Sequence, residues 1–167
     1  MNIKNISIDE IQAFVFDFDG VLTDNFVYTD QNGKETVKCS REDGLAFDVL
    51  KKLKKPSFII STEKNPVVEM RASKLKINSL YGVLNKAKVI KDLAKKNNYN
   101  LKNIFYVGND INDYHAMKIC GYTACPADSH IKIKTLSDII LNKNGGEGVI
   151  RNLIEDVFNI DFIKTIY

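Results

Sequence analysis

Short apolar runs that alternate with amphipathic stretches constrain this chain more than any other feature. Four stand out at residues 13–16 (AFVF), 57–60 (SFII), 103–107 (NIFYV) and 120–125 (CGYTAC), and a weaker one follows at 137–141 (SDIIL). Helical patterns lie between them. Residues 42–54 carry Leu45, Val49, Leu50 and Leu53, and residues 86–97 place Val89, Ile90, Leu93 and Ala94 on one face. Further helices are predicted over 66–75, 112–119 and 148–158. Strands alternating with helices of this length predict an α/β fold, a Rossmann-like parallel sheet with helices on both faces. Polar residues follow the first three runs directly: D-F-D-G, then S-T, then G-N-D. In open α/β sheets ligands bind beyond the carboxyl ends of the strands, so these clusters mark the predicted site.

One segment breaks the alternation. Residues 26–28, then Asp-Gln-Asn-Gly at 30–33, then 36–39 predict a β-hairpin. Asn32-Gly33 fits a type I′ turn, because both residues tolerate positive φ. A lone hairpin is marginal in water, so its apolar residues predict a partner surface such as another subunit. No linker or repeat divides the 167 residues, and one domain over 1–167 is expected.

A net charge of +3 with lysines spread along the chain suits an anionic small molecule. It excludes the clustered basic face of a nucleic-acid binder. Cys39, Cys120 and Cys125 are odd in number and form no C-x-x-C pair, the pattern of reduced thiols. The N-terminal stretch MNIKNISIDEIQ has no apolar leader core, and no run approaches the roughly 20 residues of a membrane span. The expected location is the cytoplasm, with no membrane partner.

The chemistry concentrates in D-F-D-G-V-L-T-D, residues 17–24. Asp17 and Asp19, two residues apart on extended chain, point the same way, and Gly20 permits a sharp exit. Such a pair calls for a cation, and Mg²⁺ takes hard oxygen ligands at roughly 2.0–2.1 Å. This string resembles the first motif of the haloacid dehalogenase-like (HAD) hydrolases. G-V-L-T-D followed by a hairpin is similar to the subgroup with a small hairpin insertion in place of a cap domain. That subgroup includes 3-deoxy-D-manno-octulosonate 8-phosphate phosphatases and related domains acting on nonulosonate 9-phosphates, some fused to acylneuraminate cytidylyltransferases. The resemblance spans residues 11–158, with the motifs in order.

The resemblance implies a role for each motif. Asp17 would be the nucleophile and a metal ligand. Asp19 would be the general acid and base, and would also ligate the metal. Ser61, with Thr62 beside it, would bind the phosphoryl group. Lys86 in G-V-L-N-K would offset its charge, and Asp113 would orient Lys86. In G-N-D-I-N-D, Asn109 stands where the family's G-D-D-x-x-D supplies a metal-ligating Asp. An amide oxygen still ligates Mg²⁺ with one negative charge fewer, and Asp110 is the alternative donor. Arg41, Asp43 and Gly44 in S-R-E-D-G, and Arg71 on the helix after S-T, would contact the sugar acid. Glu63 occupies a position where the octulosonate enzymes typically have Arg, and S-T-E-K-N-P-V-V resembles the nonulosonate-linked branch. Residues 145–151 resemble the family's late G-G-x-G-x-x-R element. His115 and His130 lack ligand spacing and receive no catalytic role.

The implied activity is Mg²⁺-dependent hydrolysis of a phosphorylated sugar acid through an aspartyl-phosphate. The substrate would be of the nonulosonate 9-phosphate or octulosonate 8-phosphate type. The alternative is a catalytically weak or inactive domain serving oligomerisation in sialic-acid activation, a reading that rests on Asn109. A mutase or phosphotransferase is disfavoured by the absent cap. The resemblance also implies a homotetramer in which hairpins at about 26–39 and chain ends, including Asp161-Phe162-Ile163, cover neighbouring sites.

Overall fold

The structure is a computed structural model that describes residues 6–167; residues 1–5, the start of the stretch read for a leader, lie outside it. The strands are β1 (Ala13–Phe16), β2 (Tyr28–Thr29), β3 (Glu35–Thr36), β4 (Ser57–Ile60), β5 (Asn78–Leu80), β6 (Ile104–Val107), β7 (Tyr122–Cys125) and β8 (Ile139–Ile140). The helices are α1 (Glu42–Lys52), α2 (Val67–Leu75), α3 (Lys86–Asn97), α4 (Tyr114–Ile119), α5 (Ile131–Leu136), α6 (Val149–Asn152) and α7 (Phe162–Ile166). Six strands form a parallel sheet in the order β5-β4-β1-β6-β7-β8. From β1 the chain builds one side of the sheet through β4 and β5, then crosses back to build the other through β6. That reversal beside β1 opens a crevice at the carboxyl ends of the central strands.

Successive residues of each strand feed two cores. Phe14, Phe16, Ile59, Phe105 and Val107 meet Phe47, Val49 and Leu50 of α1, Val68 and Ala72 of α2, and Ile150 of α6. Ala13, Val15, Phe58, Ile60, Ile104 and Tyr106 face Ile90, Leu93 and Ala94 of α3, Met117 of α4 and Ile133 of α5. Burial on both faces is why the central strands read as unbroken apolar runs. Each fully buried large apolar side chain contributes roughly 1.5–3 kcal/mol. Helix α3 begins where the Asn85 side chain accepts the Lys88 N–H at 2.9 Å and ends at Asn98, φ 57°. The cap places Lys86 in the first turn.

No sequence pattern predicts β5, α5 or α7. An edge strand has one pairing neighbour and one well-covered side, so the polar Asn78 and Ser79 suffice there. The two helices are too short to show a period.

The hairpin forms, pairing Tyr28 with Thr36 and Thr29 with Glu35, but its turn differs from the one expected. Gly33 N–H donates to Asp30 C=O at 3.0 Å and Asp30 N–H to Lys34 C=O at 3.1 Å. This leaves a three-residue loop with Gly33 at φ 76° and Asn32 outside the positive-φ region. The Asp30 Oδ1 atom accepts the N–H groups of Asn32 at 2.8 Å and Lys34 at 2.9 Å. That clasp favours a type I turn closed by a glycine bulge over the two-residue type I′ turn. Phe26, Val27 and Tyr28 are 69%, 55% and 52% exposed. In the C-terminal tail, Phe162 is instead buried in its own subunit under the Arg151 guanidinium, 4.2 Å from the ring centroid. Ile163 stays exposed.

Asp43 joins the two ends of the fold. It is buried, and its Oδ1 atom accepts the N–H groups of Ile150 at 2.9 Å and Arg151 at 3.2 Å, capping α6. Burial pushes its carboxyl from an ordinary 3.8 up to about 6, against the pull of those two N–H groups and of Arg71. A raised acid stabilises the fold fully below its unfolded pKa, and that contribution is lost as pH rises through the folded value. Between pH 4 and pH 7 the parent should therefore lose stability relative to Asp43→Asn by up to about 3 kcal/mol. Urea unfolding of both proteins across that range, in metal-free buffer, measures the gap; parallel curves would refute the assignment.

Candidate active site

The first motif leaves β1 as a tight loop. Asp17 is still in register, its N–H on Val107 C=O at 2.9 Å. The chain then turns over Phe18, whose C=O accepts the N–H groups of Leu22 at 2.9 Å and Thr23 at 3.1 Å. Gly20 sits at φ 74°, and a Cβ there would lie 1.9 Å from Asn109 Nδ2. Glycine is thus required twice, by its dihedral and by the third motif lying against it. The buried Thr23 Oγ1 accepts the N–H groups of Gly20 and Asn25, both at 3.2 Å, and donates to Asp19 Oδ1 at 3.4 Å.

The second motif follows β4. Ser61 is buried, and its Oγ accepts the Glu63 N–H at 3.0 Å, which leaves the hydroxyl proton to donate elsewhere. The Glu63 carboxylate accepts the N–H groups of Lys64 at 2.6 Å and Asn65 at 2.7 Å, so it is spent on the turn before α2.

The third and fourth motifs meet the first around Lys86. This lysine is 3% exposed, and its Nζ lies 2.7 Å from Asp17 Oδ1 and 2.7 Å from Asp113 Oδ1. Asp113 is fully buried. Its Oδ1 also accepts the Tyr106 hydroxyl at 2.7 Å, and its Oδ2 accepts the backbone N–H of Asn109 at 2.9 Å and of Asp110 at 3.4 Å. Burial presses on the Lys86 ammonium, but the charges of Asp17 and Asp113 outweigh it and hold the group above the ordinary lysine value. Burial pushes the Asp17 carboxyl well up; the charge of Asp113 adds to the push and Lys86 opposes it. Asp19 is raised by burial and then by the charge of Glu63, with Thr23 and Lys86 pulling back.

A cavity of about 250 Å³ opens at this point, lined by Asp17, Asp19, Asn25, Thr62, Asn109, Asp110, Ile111 and Asn112. A larger, mainly apolar cleft of about 610 Å³ lies away from the carboxylates, between β5 and α3. The expected sugar-acid contacts do not line the small cavity. Arg41 is exposed at the start of α1, Asp43 caps α6, and Arg71 donates to Ser40 C=O at 2.7 Å. In the late glycine element, Gly146 N–H donates to Val21 C=O at 3.0 Å, bracing the first motif, while Arg151 pairs with Glu155. His130 Nδ1 accepts the Lys132 N–H at the start of α5. Sequence reading missed Tyr106 and Thr23. The only sign of Tyr106 was a hydroxyl in an otherwise apolar strand, and Thr23 stood unremarked inside the first motif.

The donor set suits a hard cation. Asp17, Asp19, Asn109 and Asp110, all oxygen-bearing side chains, line one small cavity. Asp17 and Asp113 share the single Lys86 ammonium, and Asp17 is raised first by burial and then by the charge of Asp113. Among the described residues no three His, Cys, Asp or Glu side chains converge as a metal cluster. The fourth-motif loop offers two possible donors, the Asn109 amide and the Asp110 carboxylate. Asp110 also accepts the Ile111 N–H at 2.7 Å, a bond it would share or release on binding a cation.

Residues 59–153 match the family model of the haloacid dehalogenase-like hydrolases. Over 148 residues the chain is 30% identical to the 3-deoxy-D-manno-octulosonate 8-phosphate phosphatase of Escherichia coli (strain K12), covering 88% of this chain and 79% of that protein. A HAD family hydrolase from Streptomyces avermitilis MA-4680 matches in structure with TM-score 0.88 and 35% identity, over 90% of this chain and 86% of that one. The 3-deoxy-D-manno-octulosonate 8-phosphate phosphatase of Moraxella catarrhalis matches with TM-score 0.87 and 28% identity, over 95% and 94% of the two chains; its structure holds magnesium, phosphate and a KDO molecule.

The Asn109 position generates a direct test. Asn109→Asp should tighten Mg²⁺ binding about tenfold or more, a gain of about 1.4 kcal/mol, and Asn109→Ala should weaken it. If Asp110 is the donor instead, Asp110→Ala carries the loss and Asn109→Ala is mild. Calorimetric Mg²⁺ titration separates these cases, and three unchanged affinities would exclude this loop from the metal site.

Proposed function

The chain belongs to the haloacid dehalogenase-like hydrolases, and we propose that it is a magnesium-dependent phosphatase acting on a phosphorylated sugar acid. The observation that carries this reading is the buried Lys86 ammonium, 2.7 Å from Asp113 and 2.7 Å from Asp17, which itself lines a carboxylate-bearing cavity. A fixed ammonium beside a nucleophilic carboxylate suits a transferring phosphoryl group, whose oxygens carry the charge that must be offset. The magnesium, phosphate and sugar acid held by the Moraxella relative support the metal and the substrate class. The substrate is an octulosonate 8-phosphate or nonulosonate 9-phosphate type.

Two donors, the Phe18 N–H and Lys86 Nζ, each 2.7 Å away, hold Asp17 Oδ1 and orient Oδ2 for attack. Oδ2 forms a bond to phosphorus as the bond from phosphorus to the sugar oxygen breaks, and Asp19 gives its proton to that leaving oxygen. Burial and the neighbouring charge of Glu63 raise Asp19 and favour the protonated form needed at this step. Asp19, now ionised, takes a proton from water, whose oxygen displaces Asp17 and yields inorganic phosphate. Ser61 and Lys86 donate to the phosphoryl oxygens throughout. When bound, Mg²⁺ would be held by Asp17, the backbone carbonyl of Asp19 and Asn109 or Asp110, and would supply neutralisation of the phosphoryl charge. Arg41, exposed at the start of α1, is the candidate to meet the sugar-acid carboxylate bidentately.

Asn109 favours a second reading, a weakly catalytic domain whose main role is assembly. The exposed Phe26, Val27 and Tyr28 support a homotetramer under both readings. Turnover separates them. Asp17→Asn should abolish phosphate release from phosphorylated ulosonates, because the isosteric amide cannot attack phosphorus, while the variant remains folded. Chelation with EDTA should silence the parent reversibly. Wild-type turnover by Asp17→Asn, or full activity without metal, would reject the mechanism. Sedimentation tests assembly: Phe26→Asp with Val27→Asp should dissociate the oligomer, and a monomeric parent would remove that claim.

A further inference from the structure

Lysine is a poor positioning device by itself. Its ammonium is a point charge on a flexible stem with rotatable donors, yet Lys86 Nζ is shared between Asp17 and Asp113 at 2.7 Å each. What keeps it shared is the orientation of the Asp113 carboxylate. Oδ2 is pinned by the Asn109 and Asp110 N–H groups, and Oδ1 receives a second donor, the Tyr106 hydroxyl. Tyr106 is fully buried on β6, and its ring belongs to the core shared with Ile90 and Leu93 of α3. Its hydroxyl occupies one lone pair of Oδ1. That restrains rotation of the carboxylate and leaves Lys86 balanced between two acceptors. Burial, followed by the charge of Asp113, keeps this phenol protonated and therefore a donor.

Resting on the phosphatase reading, we infer that Tyr106 is a positioning residue: its buried hydroxyl, 2.7 Å from Asp113 Oδ1, acts through Asp113 to hold Lys86 at the phosphoryl site. The residue touches neither substrate nor metal. Its influence on the reaction passes through one carboxylate and one ammonium, so it should disappear when that ammonium is removed.

Tyr106→Phe deletes the hydroxyl and keeps the ring. It should lower kcat about tenfold or more, the rate equivalent of one charge-assisted hydrogen bond, with a smaller change in KM. A double-mutant cycle separates positioning from packing. On a Lys86→Ala background, or on Asp113→Asn, Tyr106→Phe should cause no further loss. Turnover of phosphorylated ulosonates and calorimetric binding of inorganic phosphate are measured for all variants, with thermal melting as the check on folding. An unchanged kcat in Tyr106→Phe, the same loss on each background, or failure of Tyr106→Phe to fold would overturn the inference. Absence of turnover in the parent would reject the phosphatase reading instead. Phosphate affinity would then decide the Tyr106 role: weakened by Tyr106→Phe in the parent but not on Lys86→Ala if the inference holds, equal in both if it fails.

Discussion

The Lys86 ammonium, buried between the carboxylates of Asp17 and Asp113, is the interaction around which the rest of this molecule is organised. Taking these charges out of water costs several kcal/mol per ion, and breaking such a cluster typically costs about 3–5 kcal/mol because a charge is left unpaired. The three residues come from the end of β1, the first turn of α3 and the loop after β6, so their pairing fixes those elements together. The cluster remains short of positive charge. Asp17 is held well above the ordinary carboxylate range by burial and by Asp113, despite the lysine beside it.

The sheet makes this arrangement possible at low conformational cost. β4, β1 and β6 are adjacent and parallel, so three polar turns emerge side by side from rigid, fully buried strands. Later parts of the chain then brace those turns. The Gly146 N–H donates to Val21 C=O, and the His130 N–H donates to Asn109 C=O. Gly20 lets Asn109 lie directly over the first motif. The C-terminal third of the fold thus bears on the site without contributing a reacting group, and Asp43, capping α6, extends the same brace to α1.

The alternation of strand and helix, the three polar clusters and their place at one end of the sheet were legible in the residues alone. Each of those is local: a strand buried on both faces needs an apolar run, and Asp17, Asp19 and Ser61 are marked by the run that precedes them, whereas Lys86 was singled out through the family resemblance. Asn109 was legible for the same reason, in a G-N-D string after NIFYV, and Asp113 through the resemblance of G-N-D-I-N-D to the family motif. Which polar groups pair with one another was set by long-range packing. Nothing in spacing distinguishes Asp43, which caps a helix 107 residues away, from a residue that binds substrate. Nor does spacing show that the Tyr106 hydroxyl meets Asp113, that Asp30 replaces the expected hairpin turn, or that the tail keeps Phe162 in its own core. Hydrogen bonds and burial depend on what distant segments bring alongside, and that is settled when the chain packs.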